Sequence, residues 1–97
     1  MPSFETHCAQ ATATFGKPYE QVHLWLDEFA GTSPCGSRHR RVRHHLDGIE
    51  QVRAQWGDEA ADVARQHILA DLTSEGWREG RDPFPKDEAD FVKMGLW

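Results

Sequence analysis

Cysteine is scarce in this chain. There are two, Cys8 and Cys35, and no C-x-x-C. A disulfide between them is possible but disfavoured in a reducing compartment. The expectation for both is a free thiol, with Cys8 packed as a small hydrophobe. Long apolar runs are missing too, so nothing reads as a membrane span. The start, "MPSFETHCAQ", has neither the basic residues nor the apolar stretch of a signal peptide, and the chain is expected to be cytoplasmic. No stretch alternates apolar and polar residues for long enough to make a strand, and no repeat appears. Glycine-rich phosphate loops and a G-x-S-x-G nucleophile elbow are absent as well. Positive charge is also in deficit. The formal net charge is −5, which disfavours general nucleic-acid binding.

What is present is helical. At 97 residues, with 38% hydrophobic content, the chain reads as one domain over 1–97, all-α, a bundle of four main helices plus a short C-terminal helix. The spacing of three and four through Phe4, His7, Cys8, Ala11 and Phe15 predicts a helix over Ser3–Phe15, ended by Gly16 and Pro18. Val22, Trp25, Leu26 and Phe29 predict a second over Tyr19–Ala30. "GTSPCGS" reads as a loop. Ser37 is a good N-cap for a third helix over Arg38–Trp56, with Val42, Leu46, Ile49, Val52 and Trp56 as its inner stripe. A fourth spans Glu59–Leu72 and packs through Ala61, Ala64, Ile68 and Leu72. "TSEGWREGRDPFP" carries too many turn residues for a helix. The last helix runs over Lys86–Met94, with Phe91, Val92 and Trp97 sealing the bundle.

One helix-face pattern occurs twice: His23-x-x-x-Asp27 and His67-x-x-x-Asp71. A spacing of four stacks an imidazole and a carboxylate on one face. Two such pairs on facing helices would supply four N/O ligands to a divalent transition metal, Zn²⁺ or Fe²⁺ by donor type. His39 and His45 flank the third helix's inner stripe and His7 lies within the first, so all three are directed inward, whereas a regular helix sends His44 to the far side. The plain alternative is that each pair is an ordinary helix-face hydrogen bond.

"RHRRVRHH", residues 38–45, holds four arginines and three of the six histidines in an otherwise acidic chain. Cations in the first turns of a helix oppose its dipole by about 0.3–1 kcal/mol each. Something negative must compensate. Either the guanidinium groups grip internal carboxylates such as Asp27 or Asp71 and orient metal ligands, or Arg38 and Arg41 hold an anion at the helix start. The positions relative to Val42 predict Arg38 turned inward and Arg40 and Arg43 outward and solvated. The four tryptophans do not interleave with the arginines, which favours packing over base stacking.

With "RHRRVRHHLDG" and "QHILADL", the chain resembles a family of small bacterial and phage proteins known as a domain of unknown function. The shared order is His7, then Gly16-Lys17-Pro18, then "HLWLD" at 23–27. His39, His44 and Gly48 follow, then "QHILADL" at 66–72 and an aromatic tail ending at Trp97. The loop "GTSPCGS" departs from the Ser-Lys common in members, and "TSEGWREGRDPFP" is long for them. The resemblance implies that His7, His23, Asp27, His39, His44 and His67 form one polar constellation, and it implies no known activity. It shifts weight from His45 to His44, against the helical wheel, which an irregular helix start before Val42 would reconcile. "RHRRV" opening a helix, with His67 later, also faintly resembles the His-Asp phosphohydrolases, but their adjacent His-Asp pair is missing: "HHLD" separates His45 from Asp47.

The reading is a helical domain with a metal site built from His23, Asp27, His39, His44, His67 and Asp71. His7, Arg38, Arg41 and His45 stand around it or hold an anion. If it is catalytic, the reaction is metal-assisted hydrolysis of a phosphoester or amide. The competing readings are a non-catalytic interaction module with a buried polar network, and an anion or nucleic-acid binder using the Arg38–Arg43 cluster. A small anionic ligand or a protein is the expected partner, and no membrane.

Overall fold

The computed structural model describes residues 3–28 and 40–95, with the side chains of residues 40 and 41 outside that description. The described residues are helical with no strand: α1 Phe4–Phe15, α2 Glu20–Leu26, α3 Arg40–Arg43, α4 Leu46–Trp56, α5 Asp58–Ser74 and α6 Glu88–Lys93. No helix among them is long and apolar enough to cross a membrane.

The longest helix, α5, is the post on which the others lean, packing against α1, α2 and α4. Its sequence explains this. Ala60, Ala61, Val63 and Ala64 give a nearly flat first half that lets neighbours approach closely, and Ile68 and Leu72 fill the second half. All are buried with Val22, Leu26, Ile49, Val52 and Ala11. α1 begins at Ser3, whose Oγ accepts from the Thr6 amide, and stops at Gly16, whose φ of 81° is cheap for glycine. Only His7 and Ala11 of its predicted stripe are fully buried. Phe4 lies at the edge, and Cys8 is a half-buried free thiol.

The sequence predicts one helix over Arg38–Trp56. The structure breaks it at His44 and His45. His45 is extended (φ −158°, ψ 178°) and caps α4 with its own side chain, Nδ1 accepting from the Gly48 amide at 3.1 Å. Its Nε2–H donates to the Val42 carbonyl at 2.9 Å. Gly48 makes the break possible. A Cβ there would sit 1.8 Å from the Arg43 carbonyl oxygen, so only glycine lets the chain cross so closely. The amides of Leu46 and Asp47 find the carbonyls of Pro85 and Lys86 at 3.1 and 3.0 Å, which replaces the helical bonds lost at the break. Because the register shifts, Leu46 and Trp56 of the predicted inner stripe come out partly exposed while Ile49 and Val52 stay in.

Three further expectations change. α2 ends at Leu26 rather than Ala30, with Asp27 as its C-cap. Arg43 is not solvated. Its guanidinium lies 3.9 Å from the centre of the Trp25 ring and donates to the Trp25 carbonyl at 2.7 Å and to Glu28 at 2.5 Å. The planar guanidinium covers an indole face and reaches one carbonyl of the last turn of α2 in one placement, and that outweighs hydration. Phe91 is buried under α6 as expected, whereas Val92 faces out. Trp97, Ser37 and the "GTSPCGS" loop lie outside the described residues.

Candidate metal centre

Four side chains from three places in the fold converge. His67 and Asp71 come from successive turns of α5, Asp27 from the C-cap of α2, and His44 from the break between α3 and α4. Each offers one ligand atom, and these atoms all lie within 4.8 Å of one another. His44 Nε2 is 2.9 Å from Asp71 Oδ2 and 3.4 Å from Asp27 Oδ1. His67 Nε2 is 3.3 Å from Asp71 Oδ2 and 3.5 Å from Asp27 Oδ2. Zn–N and Zn–O bonds near 2.0–2.1 Å in a tetrahedron put neighbouring ligands about 3.3 Å apart. The His67–Asp71 separation matches that edge length, and the Asp27 distances, one to each of its oxygens, lie close to it. They are longer than a good N–H···O bond.

The proton positions follow from what each nitrogen meets. His23 Nε2 is 2.9 Å from the Pro18 carbonyl, which can only accept, so that nitrogen carries the hydrogen. Burial, then the neighbouring His67 and His7, push the His23 pKa down to about 4, so the ring is neutral near pH 7 and its Nδ1 is a bare acceptor. That Nδ1 lies 2.9 Å from His67 Nδ1, which must therefore donate. The lone pair of His67 is thereby assigned to Nε2, the nitrogen between the two carboxylates. This atom is buried and has no hydrogen-bond partner. Burial alone would lower the His67 pKa, but Asp27 and Asp71 outweigh it and raise it. The surroundings thus favour positive charge at Nε2, although no oxygen is placed for a well-formed N–H···O bond. A cation larger than a proton satisfies both conditions. Tyr19 is the one non-glycine described residue in the left-handed region, at φ 54°, and its hydroxyl donates to Glu59.

A second histidine orients the other α5 donor. His7 Nε2 lies 3.2 Å from Asp71 Oδ1, and its ring stacks on that of His67 at 3.6 Å and 16°. With Oδ1 engaged by His7, Oδ2 is left to face the centre. Burial would raise the Asp71 pKa, yet the His44, His67 and His7 imidazoles around it hold it far below the carboxylate range. His44 is fully buried, and desolvation brings it down to about 4 despite Asp71, so it is neutral and fit to be a ligand near pH 7.

Of the residues the sequence proposes as ligands, Asp27, His44, His67 and Asp71 are brought together. His23 stands one layer back, with both nitrogens committed to Pro18 and His67. His7, proposed to surround the ligands, does so through Asp71. Both nitrogens of His45 are engaged by backbone, Nδ1 by the Gly48 amide and Nε2 by the Val42 carbonyl. His39, Arg38 and the Arg41 side chain lie outside the described residues. The 3.6-residue wheel misses His44, because no wheel anticipates the break that turns it inward. The signal was Gly48 three residues after His45, a capping spacing rather than a mid-helix one.

A family model describing a domain of unknown function (DUF6915) matches residues 2–78. The chain belongs to that family. No curated protein and no solved structure matches it. The part matched to DUF6915 contains all four converging side chains, together with His7, His23 and Gly48.

Proposed function

We propose that this DUF6915 protein binds one divalent transition-metal ion through Asp27, His44, His67 and Asp71. The observation that carries the reading is the buried His67 Nε2, its lone pair set by the His23–Pro18 relay and aimed between two carboxylates. A donor set of two imidazoles and two carboxylates suits Zn²⁺, Fe²⁺ or Mn²⁺ rather than soft Cu⁺. His7 and His23 are the outer partners that such sites use to fix ligand orientation and tautomer. The chemistry a divalent ion supplies in such a setting is Lewis-acid activation of water or of a phosphoester or amide, so metal-assisted hydrolysis is the reaction class the donors support.

The test is elemental analysis of untagged protein after dialysis, with cobalt(II) as a visible probe. The expected result is about one ion per chain, lost in His67→Ala and His44→Ala. A wild-type protein that takes up no cobalt, zinc, iron or manganese, and whose melting is unmoved by chelator, refutes the reading. The buried His/Asp cluster would then be a polar network serving the fold or a partner.

A further inference from the structure

We propose that the segment 83–91 is a positioning element of the metal centre: it holds the corner that carries His44, so that ion binding and docking of this segment strengthen each other. This rests on the metal reading above and adds a control over that site from residues beyond the part matched to DUF6915, which ends at 78.

The four converging side chains are not carried alike. Asp27, His67 and Asp71 come from α5 and the end of α2, which pack directly against each other. His44 stands between α3 and α4, outside either helix, and is fully buried. The start of α4 fixes this corner. The first amides of a helix have no acceptor within it. Here the Gly48 amide is taken by His45 Nδ1, and those of Leu46 and Asp47 by the carbonyls of Pro85 and Lys86 at 3.1 and 3.0 Å. Two of these three bonds come from the segment 83–91.

The segment is itself pinned at both ends. The Pro83 carbonyl accepts from Trp77 Nε1 at 2.9 Å. The Phe84 ring meets the Trp77 indole edge-on at 6.3 Å, and the Arg65 guanidinium of α5 lies 4.8 Å from its centre. Pro85 is buried. The Lys86 amide donates to Asp90 Oδ2 at 3.0 Å, the Asp90 amide donates to Asp87 Oδ1 at 2.8 Å, and the Phe91 side chain is buried. α6 packs in turn on α3, the other side of the His44 corner. A ligand nitrogen must lie about 2.0–2.1 Å from its ion, so a small shift of the corner is felt at His44 Nε2. The reverse follows by linkage: an ion that ties His44 to α5 holds the corner, and with it the segment, in place.

Cobalt(II) affinity, read by competition with a chromophoric chelator, and the visible cobalt bands decide the matter. The proteins are wild type, Phe84→Ala, Asp90→Ala, Asp90→Asn and Gly16→Ala, with circular dichroism checking each fold. Phe84→Ala takes the ring from between Trp77 and Arg65, and Asp90→Ala unties the Lys86 amide. Each should weaken cobalt binding about tenfold, a size usual for linked sites, and alter the bands as one nitrogen ligand loosens. Asp90→Asn keeps an acceptor oxygen for the Lys86 amide and should restore affinity. Gly16→Ala, strained at φ 81°, destabilises the fold outside the segment and should leave affinity unchanged. In wild type, cobalt should slow amide exchange at Leu46, Asp47 and Lys86 more than at Gly16, a reading that stands even if a variant fails to fold. Folded Phe84→Ala and Asp90→Ala proteins that bind cobalt like wild type overturn the proposal. So does an Asp90→Asn or Gly16→Ala protein as weak as Asp90→Ala, or exchange at the three amides that cobalt slows no more than at Gly16. These results leave metal binding itself intact, whereas a wild type that takes up no cobalt overturns the metal reading beneath the proposal.

Discussion

Gly48→Ala tests the logic of the centre without touching a ligand. In an ordinary helix interior this substitution stabilises by about 0.5–1 kcal/mol, because alanine has less backbone freedom to lose. Here the new methyl would lie 1.8 Å from the Arg43 carbonyl oxygen, with the carbonyl carbon and Cα at 2.7 and 3.1 Å. All three are backbone atoms, so no side chain can swing aside. The crossing strand must retreat by more than an ångström. Retreat carries His45 off the Gly48 amide, a cap of 3.1 Å whose loss costs about 0.5–2 kcal/mol. Overpacking of this kind adds about 1–3 kcal/mol. The net expectation is a loss of about 1–4 kcal/mol relative to wild type, from cap and overpacking after the helix-propensity gain is set against them. His44 is next to the displaced carbonyl, so metal affinity should fall in parallel. Urea melts with and without chelator read the first quantity, and competition with a chromophoric chelator reads the second. A Gly48→Ala protein as stable as wild type, or more so, with unchanged affinity, would show that α3 and α4 do not cross as described.

His7→Ala should weaken metal affinity about 10- to 100-fold while leaving the ligands in place, as loss of an outer partner usually does; isothermal titration against a competing chelator measures it. His45→Ala removes the α4 cap and should cost about 0.5–2 kcal/mol in denaturant melts, with urea midpoints as the readout. Metal-free protein should lose stability on acidification from about pH 6.5 to about pH 4. His23 and His44 have folded pKa values of about 4 against the ordinary 6.5, so in that window the unfolded chain holds protons the folded chain refuses. His67, raised rather than lowered, is protonated in both states there and does not offset the loss; urea melts across the window check the sign, and stability that is flat or rises on acidification contradicts the buried, neutral assignment. Arg43→Ala should destabilise by more than the 0.5 kcal/mol or so of a solvated arginine, since it uncovers Trp25 and frees a carbonyl.

The class of fold was legible because helical periodicity and glycine stops act locally. Gly16 ends α1 and the small-residue face of α5 packs inward, as spacing alone indicates. His67 and Asp71 were legible for the same reason, since four residues on a continuous helix is a fixed geometry. His44 and His23 were not. Whether a histidine faces the centre or supports a neighbour depends on a break stabilised by Pro85 and Lys86, and on a carbonyl at Pro18 aimed back at His23. Both are tertiary or irregular-backbone effects with no periodic signature. The family resemblance placed His23 and His44 in one constellation without separating their roles. Arg43 was misread because a charged residue off the core stripe was assigned to water, when an indole face and a helix end were within reach.

The pairing of the Leu46 and Asp47 amides with Pro85 and Lys86 spans about 40 positions of chain. This has a bearing on the order of events during synthesis. Until residues 85 and 86 have emerged and docked, the amides that open α4 lack their acceptors, and the seat of His44 is unfinished. The α1, α2 and α5 parts of the centre, with Asp27, His67, Asp71 and the two supporting histidines, involve no residue beyond 71 and can meet earlier. Contacts of long sequence separation form late because loop closure must precede them. By this ordering three of the clustered side chains can meet first, and His44 joins them with the last segment.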